Sequence, residues 1–176
     1  MNITEISREI FDSAHSTVYS LCGLDITVGY TEKYIVSVSA WEGGSHMSGE
    51  PSALSDGAAR QLEEYLCGKR MNFELPVAIY GTDFQKAVLR ELALVPFGET
   101  RSYGYIAEQI GRPRAFRAVG MACHRNPVGI IIPCHRIVGA SGALTGYAGG
   151  LGLKERLLRL ERRTAAGESE TCDFAF

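Results

Sequence analysis

The stretch Ile130-Ile131-Ile132-Pro133-Cys134-His135-Arg136-Ile137-Val138 joins an apolar run to a thiol, an imidazole and a guanidinium. Three β-branched residues in a row predict a buried strand, and Pro133 ends it because proline has no N–H to donate. A thiol attacks as the thiolate, and a neighbouring imidazole and cation lower its pKa. An isolated cysteine in an apolar run is more often a buried core residue. The order of residues after Pro133 instead predicts a nucleophilic Cys134 with a lowered pKa.

Two further motifs flank this stretch, Asn126-Pro127 before it and Gly146-Tyr147-Ala148-Gly149-Gly150 after it. Together with Pro133-Cys134-His135-Arg136 they resemble the O6-alkylguanine-DNA alkyltransferases, which move an alkyl group from guanine O6 to their own cysteine. The resemblance is dense over residues 82–161 and loose over the first eighty residues. It implies direct-reversal repair of O6-alkylguanine, and of O4-alkylthymine, in double-stranded DNA. Each molecule then acts once, giving an S-alkylcysteine and a restored base, with no cofactor.

Composition sets broad limits on the protein. The 176 residues suffice for one large or two small domains, and a hydrophobic content of 45% is ordinary for a globular chain. No apolar run of 18 residues occurs and the first residues lack signal-peptide features, so we expect no membrane contact and a cytoplasmic protein. Five cysteines without regular spacing argue against a secreted disulfide framework. We also expect a monomer.

Charge is unevenly distributed along the chain. Residues 1–80 carry five Lys and Arg against eleven Asp and Glu, whereas residues 98–136 carry six Arg against two Glu. A net charge of −2 therefore hides a basic segment, and local charge is what DNA phosphates respond to. This segment is the predicted DNA-binding region, although charge alone is equally consistent with a solvated face.

The predicted organisation is an α/β domain over residues 1–80, a mostly helical domain over residues 81–165 and a disordered tail over residues 166–176. In the first, Leu24–Tyr30 and Tyr34–Trp41 alternate with period two and predict a hairpin, followed by a glycine-rich loop at 43–52 and a helix from Ser55 to Leu66. The resemblance implies a ribonuclease H-like fold here. Four candidate metal ligands lie here, namely His15, Cys22, His46 and Cys67. Their spacing fits no compact zinc site and we expect no metal, although some alkyltransferases carry a structural zinc in this region, which keeps that alternative open.

The second domain is predicted to contain a helix-turn-helix. A first helix runs from Thr82 to Val95, a second from Ser102 to Ile110, and a third starts at Arg112-Pro113. On a helical wheel the third helix turns Phe116, Val119, Gly120 and Cys123 inward. Its outer face holds the candidate DNA contacts, which are Arg114, Arg117, Ala118, Met121, His124 and Arg125. A last helix begins at Gly149-Gly150 and carries Glu161 at the edge of its apolar stripe.

The resemblance assigns roles to individual residues. Cys134 is the nucleophile, His135 the base acting through a water, and Glu161 the acid that orients the imidazole. Tyr103 donates to the leaving base, and Asn126 braces the loop before the reactive segment. Arg117 fills the gap left by the extruded nucleotide. The remaining substrate and DNA contacts are Arg136, the Ile137 carbonyl, and the loop residues Tyr147, Ala148 and Gly149, where relatives often have Ser in place of Ala148.

Three other functions fit parts of the pattern. An alkyltransferase-like protein that binds lesions without repair replaces the cysteine that is present here as Cys134. A cysteine hydrolase also uses Cys, His and an acid, but it needs an oxyanion hole and turns over repeatedly. A plain DNA-binding regulator predicts no reaction of Cys134. Mass measurement after mixing with methylated DNA separates these alternatives.

Overall fold

The computed structural model describes residues 3–41 and 49–168. Within them the chain divides into two compact units. The first holds the described residues up to 80 together with residues 127–129, and the second holds residues 81–126 and 130–168. The return of residues 127–129 to the first unit was not predicted. It arises from backbone hydrogen bonds, from Val38 N–H to Pro127 O at 2.8 Å and from Gly129 N–H to Val38 O at 2.9 Å.

The first unit combines strands and helices, as predicted. Its elements are β1 (Ile3–Glu5), α1 (Arg8–Asp12), β2 (His15–Leu21), β3 (Leu24–Tyr30), β4 (Ile35–Trp41), α2 (Ala53–Leu66) and β5 (Val77–Ile79). The described strands form one mixed sheet in the order β1-β5-β4-β3-β2. Strands β2, β3 and β4 are antiparallel, whereas β5 pairs in parallel with β4 and β1.

The predicted hairpin is confirmed, with Val28 of β3 opposite Val38 of β4. Both side chains are buried, because alternate residues of a strand face the same side of the sheet. Helix α2 begins earlier than predicted. Its N-cap is Ser52, whose hydroxyl accepts the Ser55 N–H at 3.1 Å, and the Ser55 hydroxyl in turn accepts the Ser52 N–H at 2.9 Å.

Several sequence predictions fall outside the described residues. These include His46, most of the glycine-rich loop at 43–52, and residues 169–176 of the tail. In the part of the chain that is described, no group of three or more His, Cys, Asp or Glu side chains could hold a metal ion. None of the helices described there is long and apolar enough to cross a membrane.

The second unit is mostly helical. Its elements are α3 (Asp83–Ala93), β6 (Arg101–Ser102), α4 (Tyr103–Gln109), α5 (Phe116–His124), a single 3₁₀ turn (Cys134–Arg136), β7 (Ile137–Val138) and α6 (Gly150–Ala165). Helix α3 starts at the predicted Thr82, whose hydroxyl accepts the Gln85 N–H at 3.2 Å. The short strands β6 and β7 pair in parallel, Arg101 with Ile137. This pairing holds the start of α4 beside the residue that follows Arg136.

Three details differ from the sequence predictions. Residues 130–132 form a turn rather than a strand, because Ile130 has φ +65°, which breaks the extended conformation. Helix α5 begins at Phe116 and not at Arg112, since residues 112–115 form a turn closed by the Ala115 N–H on Arg112 O. Phe116 itself is 48% exposed instead of buried.

Candidate active site

Cys134 lies in the 3₁₀ turn and is held from two directions. Its backbone N–H donates to Ile132 O at 2.8 Å. The Asn126 side-chain amide, just beyond the end of α5, donates to the same carbonyl at 2.8 Å and to Cys134 Sγ at 3.2 Å. Ile130 adopts its left-handed backbone within this segment, a conformation that costs a β-branched residue about 1–2 kcal/mol. Asn126 therefore both fixes the turn and contacts the sulfur, the bracing position expected of it.

The two residues after Cys134, His135 and Arg136, share the buried carboxylate of Glu161. His135 Nε2 is 2.8 Å from Glu161 Oε1, and both side chains are fully buried. The Arg136 guanidinium holds the same carboxylate through Nε at 3.0 Å and Nη2 at 2.9 Å, and its Nη1 donates to Val95 O at 2.6 Å. The Gly98 N–H donates to Glu161 Oε2 at 3.0 Å. Glu161 is thus surrounded by donors, as a buried carboxylate must be.

The Arg136–Glu161 ion pair corrects the expectation that Arg136 contacts DNA. Its side chain is 8% exposed and its guanidinium is turned inward onto Glu161. A planar guanidinium suits a carboxylate better than any other cation because it donates two parallel hydrogen bonds. Arg136 therefore neutralises Glu161 and supports His135 from behind.

Burial and charge shift the ionisation of these groups. Burial raises the pKa of Glu161, but the hydrogen bonds and charges of His135 and Arg136 outweigh it and bring the pKa to about 2. Burial lowers the pKa of His135, against the opposing effect of Glu161. The pair is therefore a carboxylate beside a neutral imidazole, whose second nitrogen, Nδ1, is the atom able to take a proton from a thiol.

The lowered thiol pKa predicted from the sequence is wrong for the protein without DNA. Burial raises the pKa of Cys134, which is 5% exposed, and the Asn126 hydrogen bond and the Lys154 charge only partly oppose this. The sequence shows the neighbours of the thiol but not its removal from water, and desolvation disfavours the charged form. The raised pKa favours the neutral thiol at Cys134.

Lys154 is a site residue that the sequence analysis missed. It is fully buried, and its ammonium donates to Ile137 O at 2.5 Å and to Thr145 O at 2.8 Å. Burial lowers its pKa, whereas a negative charge on the sulfur of Cys134 or Cys123 would raise it. A signal was present, because Lys154 and Glu161 lie seven residues apart on one face of α6 with Leu157 between them. Two opposite charges on an apolar stripe indicate a buried polar site.

Tyr103 connects Lys154 to a surface cleft. The Tyr103 hydroxyl donates to Thr145 O at 3.3 Å, and the Lys154 ammonium lies 6.0 Å from the centre of its ring. The cleft has a volume of about 430 Å³. Its lining residues are Tyr103, Phe116, Arg117, Gly120, Met121, His124, Thr145 and Gly146. Burial raises the pKa of Tyr103, so the hydroxyl keeps its proton and can donate it.

The predicted DNA-contact residues of α5 and its ends lie on the outside of the second unit. All six are exposed, namely Arg114, Arg117, Ala118, Met121, His124 and Arg125. Of these, Arg117, Met121 and His124 line the cleft. Val119, Ala122 and Cys123 form the buried face of the helix instead. The structure therefore separates a core face from a basic outer face, and no acidic residue occurs between positions 112 and 126.

The glycine-rich loop at 146–150 lies next to His135. The Tyr147 ring stands edge-on to His135, with ring centres 6.5 Å apart, and burial raises the Tyr147 pKa. Ala148 is exposed. A Cβ at Gly149 would come within 2.8 Å of Leu153 Cδ2 and 3.0 Å of the Tyr147 ring, so a larger residue there requires the end of the Leu153 side chain to shift. Ile137 has its carbonyl engaged by Lys154, and only the second lone pair of that oxygen is open to a substrate amine.

Comparisons with known proteins point to one family. Residues 83–163 match the family model for the 6-O-methylguanine DNA methyltransferase DNA binding domain. Methylated-DNA–protein-cysteine methyltransferases from Methanosarcina barkeri and Mycobacterium tuberculosis are 61% and 50% identical over 104 and 124 residues. These matches cover 59% and 70% of this chain, and 66% and 74% of the relatives. The crystal structure of Mycobacterium tuberculosis OGT in complex with DNA superimposes with a TM-score of 0.79 at 42% identity, covering 85% of this chain and 94% of that one.

Proposed function

Because the chain belongs to the methylated-DNA–protein-cysteine methyltransferase family, we propose that it repairs O6-alkylguanine in double-stranded DNA by transferring the alkyl group to Cys134. The observation that carries the proposal is the position of Cys134, held by Asn126 and followed directly by the buried His135–Glu161 pair. O4-alkylthymine presents the same alkyl–oxygen bond and is a second substrate.

The chemical step is a displacement at the alkyl carbon. His135 Nδ1 takes the thiol proton through a water molecule, and the imidazolium formed is stabilised by Glu161 at 2.8 Å. Cys134 Sγ attacks the alkyl carbon, the S–C bond forms and the C–O6 bond breaks, with its electron pair passing to the purine. Tyr103 donates a proton to that purine and later regains one from solvent. The products are an S-alkylcysteine and guanine.

Thiolate formation is coupled to substrate binding in this scheme. Cys134 and His135 are both nearly free of solvent, and their shifted pKa values favour a neutral pair at rest. The charge of Lys154 lowers the thiol pKa and therefore favours the state with a transferred proton. A buried thioether has no hydrolysis route in this set of residues, so each molecule reacts once.

DNA recognition is assigned to the outer face of α5. Helix α4, the turn that follows it and α5 serve as a helix-turn-helix, with Ala118 and Met121 against the groove and Arg114 and Arg125 on phosphates. Arg117 fills the space vacated by the extruded nucleotide. The extruded base enters beside Tyr103, where the Ile137 carbonyl accepts from its exocyclic amine and the backbone of Tyr147, Ala148 and Gly149 closes over O6.

The finer fold and cellular assignments belong to the same proposal. The family resemblance assigns a ribonuclease H-like fold to residues 1–80, whose described strands form a mixed sheet. The transfer chemistry is contained in residues 81–165. The protein acts as a monomer in the cytoplasm, where a reducing environment keeps the thiol available.

Intact-mass measurement tests the proposal. A duplex with one O6-methylguanine should add one methyl mass per protein molecule, on the peptide containing Cys134, and the reaction should stop at one equivalent. Cys134→Ala should take up no methyl group. Cys123→Ala, which removes the other buried thiol of this unit, in α5, should still be methylated. Continued product formation beyond one equivalent, or methylation of Cys134→Ala, would refute the proposed function.

A further inference from the structure

Phe116 is an aromatic residue at the start of α5 that the fold leaves 48% exposed. The Arg117 guanidinium lies over its ring, with Cζ 5.6 Å from the ring centre. This separation is within the range of cation–π attraction. The Phe116 ring therefore restricts the Arg117 side chain, which would otherwise sample many rotamers.

Phe116 and Arg117 both line the 430 Å³ cleft, together with Tyr103. The segment 112–126 that carries them has four arginines and no acidic residue. Its charge is complementary to a nucleic-acid backbone, which identifies the occupant of this surface as a DNA duplex. An exposed apolar ring at such a surface suits the gap between two unstacked base pairs.

We propose that Phe116 is a positioning residue for base extrusion, which rests on the proposed function. Its ring holds the Arg117 guanidinium at the mouth of the cleft, so that less side-chain freedom is lost when the arginine enters the duplex. After insertion the ring packs against the sugar and base edges beside the extruded nucleotide. The first effect needs the flat π face of the ring, which apolar bulk alone does not supply.

The test compares variants of the full chain in single-turnover transfer at saturating duplex DNA, so that losses in affinity drop out. Phe116→Ala should slow transfer from O6-methylguanine duplex about fivefold, the value of an exposed cation–π contact. Transfer from the free O6-methylguanine base, which needs no extrusion, should be unchanged. Phe116→Tyr should restore the rate and Phe116→Leu should not. A 2-aminopurine next to the lesion should report slower extrusion in the Ala and Leu variants.

Tyr105→Ala is the matched control. Tyr105 is 40% exposed and has the Arg101 guanidinium 5.5 Å from its ring centre, but it lies outside the cleft lining. Its loss should leave duplex transfer unchanged. The inference is overturned if Phe116→Ala matches the wild type on duplex, if Phe116→Leu restores the rate, or if duplex and free-base transfer fall together. Absence of transfer by the wild type would instead overturn the proposed function.

Discussion

Glu161→Gln removes the charge at the centre of the buried network while keeping the shape of the side chain. The carboxylate has no exposed surface and accepts from His135, Arg136 and Gly98. Without it, the Arg136 charge stays buried and uncompensated. Removing one partner of a buried ion pair costs about 3–5 kcal/mol, which is a large fraction of the roughly 5–15 kcal/mol that stabilises a domain.

A double-mutant cycle measures that coupling. Urea unfolding at neutral pH should show a large loss in the free energy of unfolding for each single variant, Glu161→Gln and Arg136→Met. The loss for the double variant should be smaller than the sum of the two single losses. A coupling of at least about 2 kcal/mol is expected for groups in one buried network. Additive losses, or a loss under about 1 kcal/mol for Glu161→Gln, would refute the assignment of a tight pair.

The same variant tests pH dependence and catalysis. The folded-state pKa of Glu161 is about 2, below its ordinary 4.5. The contribution of Glu161 to the free energy of unfolding is therefore fully present above pH 4.5 and is lost as the pH falls towards 2. The stability of Glu161→Gln should lack this pH dependence. Transfer by Glu161→Gln at saturating DNA should be far slower, with DNA affinity retained, because His135 loses its orienting acid. If transfer and DNA affinity fall in parallel, Glu161 has only a structural role.

Three further outcomes are expected. Alkylation of Cys134 by iodoacetamide in the protein without DNA should be slow at neutral pH. Its rate should still be rising at pH 9.0, the ordinary pKa of the thiol, because burial raises the Cys134 pKa. A rate that levels off below pH 9.0 would contradict the neutral resting thiol. Lys154→Met should move this profile to still higher pH, since the ammonium charge lowers the thiol pKa, and an unmoved profile would remove Lys154 from the electrostatics of the site. Arg117→Ala should slow transfer from duplex at saturating DNA but leave transfer from the free modified base unchanged. Arg114→Ala and Arg125→Ala should mainly weaken DNA affinity and reduce the salt dependence of that affinity by about one unit of slope per lost contact. If Arg117→Ala transfers from duplex at the wild-type rate, Arg117 is a phosphate contact only.

Features that depend on residues close together in the chain were predictable from the sequence. The β3–β4 hairpin follows from period-two alternation, and α3 follows from the Thr82 cap, because both patterns depend on residues close together in the chain. The motif from Asn126 to Arg136 and the later Glu161 identified the chemistry and the family. Strand β2 was not predicted, since its polar residues conceal the alternation and its pairing with β3 stabilises it.

Tertiary structure decided the environment of each group, which no local pattern contains. Burial reverses the expected shift of the Cys134 pKa and turns Arg136 from a predicted DNA contact into the partner of Glu161. Packing of the tertiary structure also places the Lys154 ammonium against the carbonyls of Ile137 and Thr145. The free energy of a charge depends on the water it has lost and the donors and acceptors that replace that water. Those neighbours come from distant positions, such as Gly98 and Glu161, which are 63 residues apart, and they are brought together only when the helices pack.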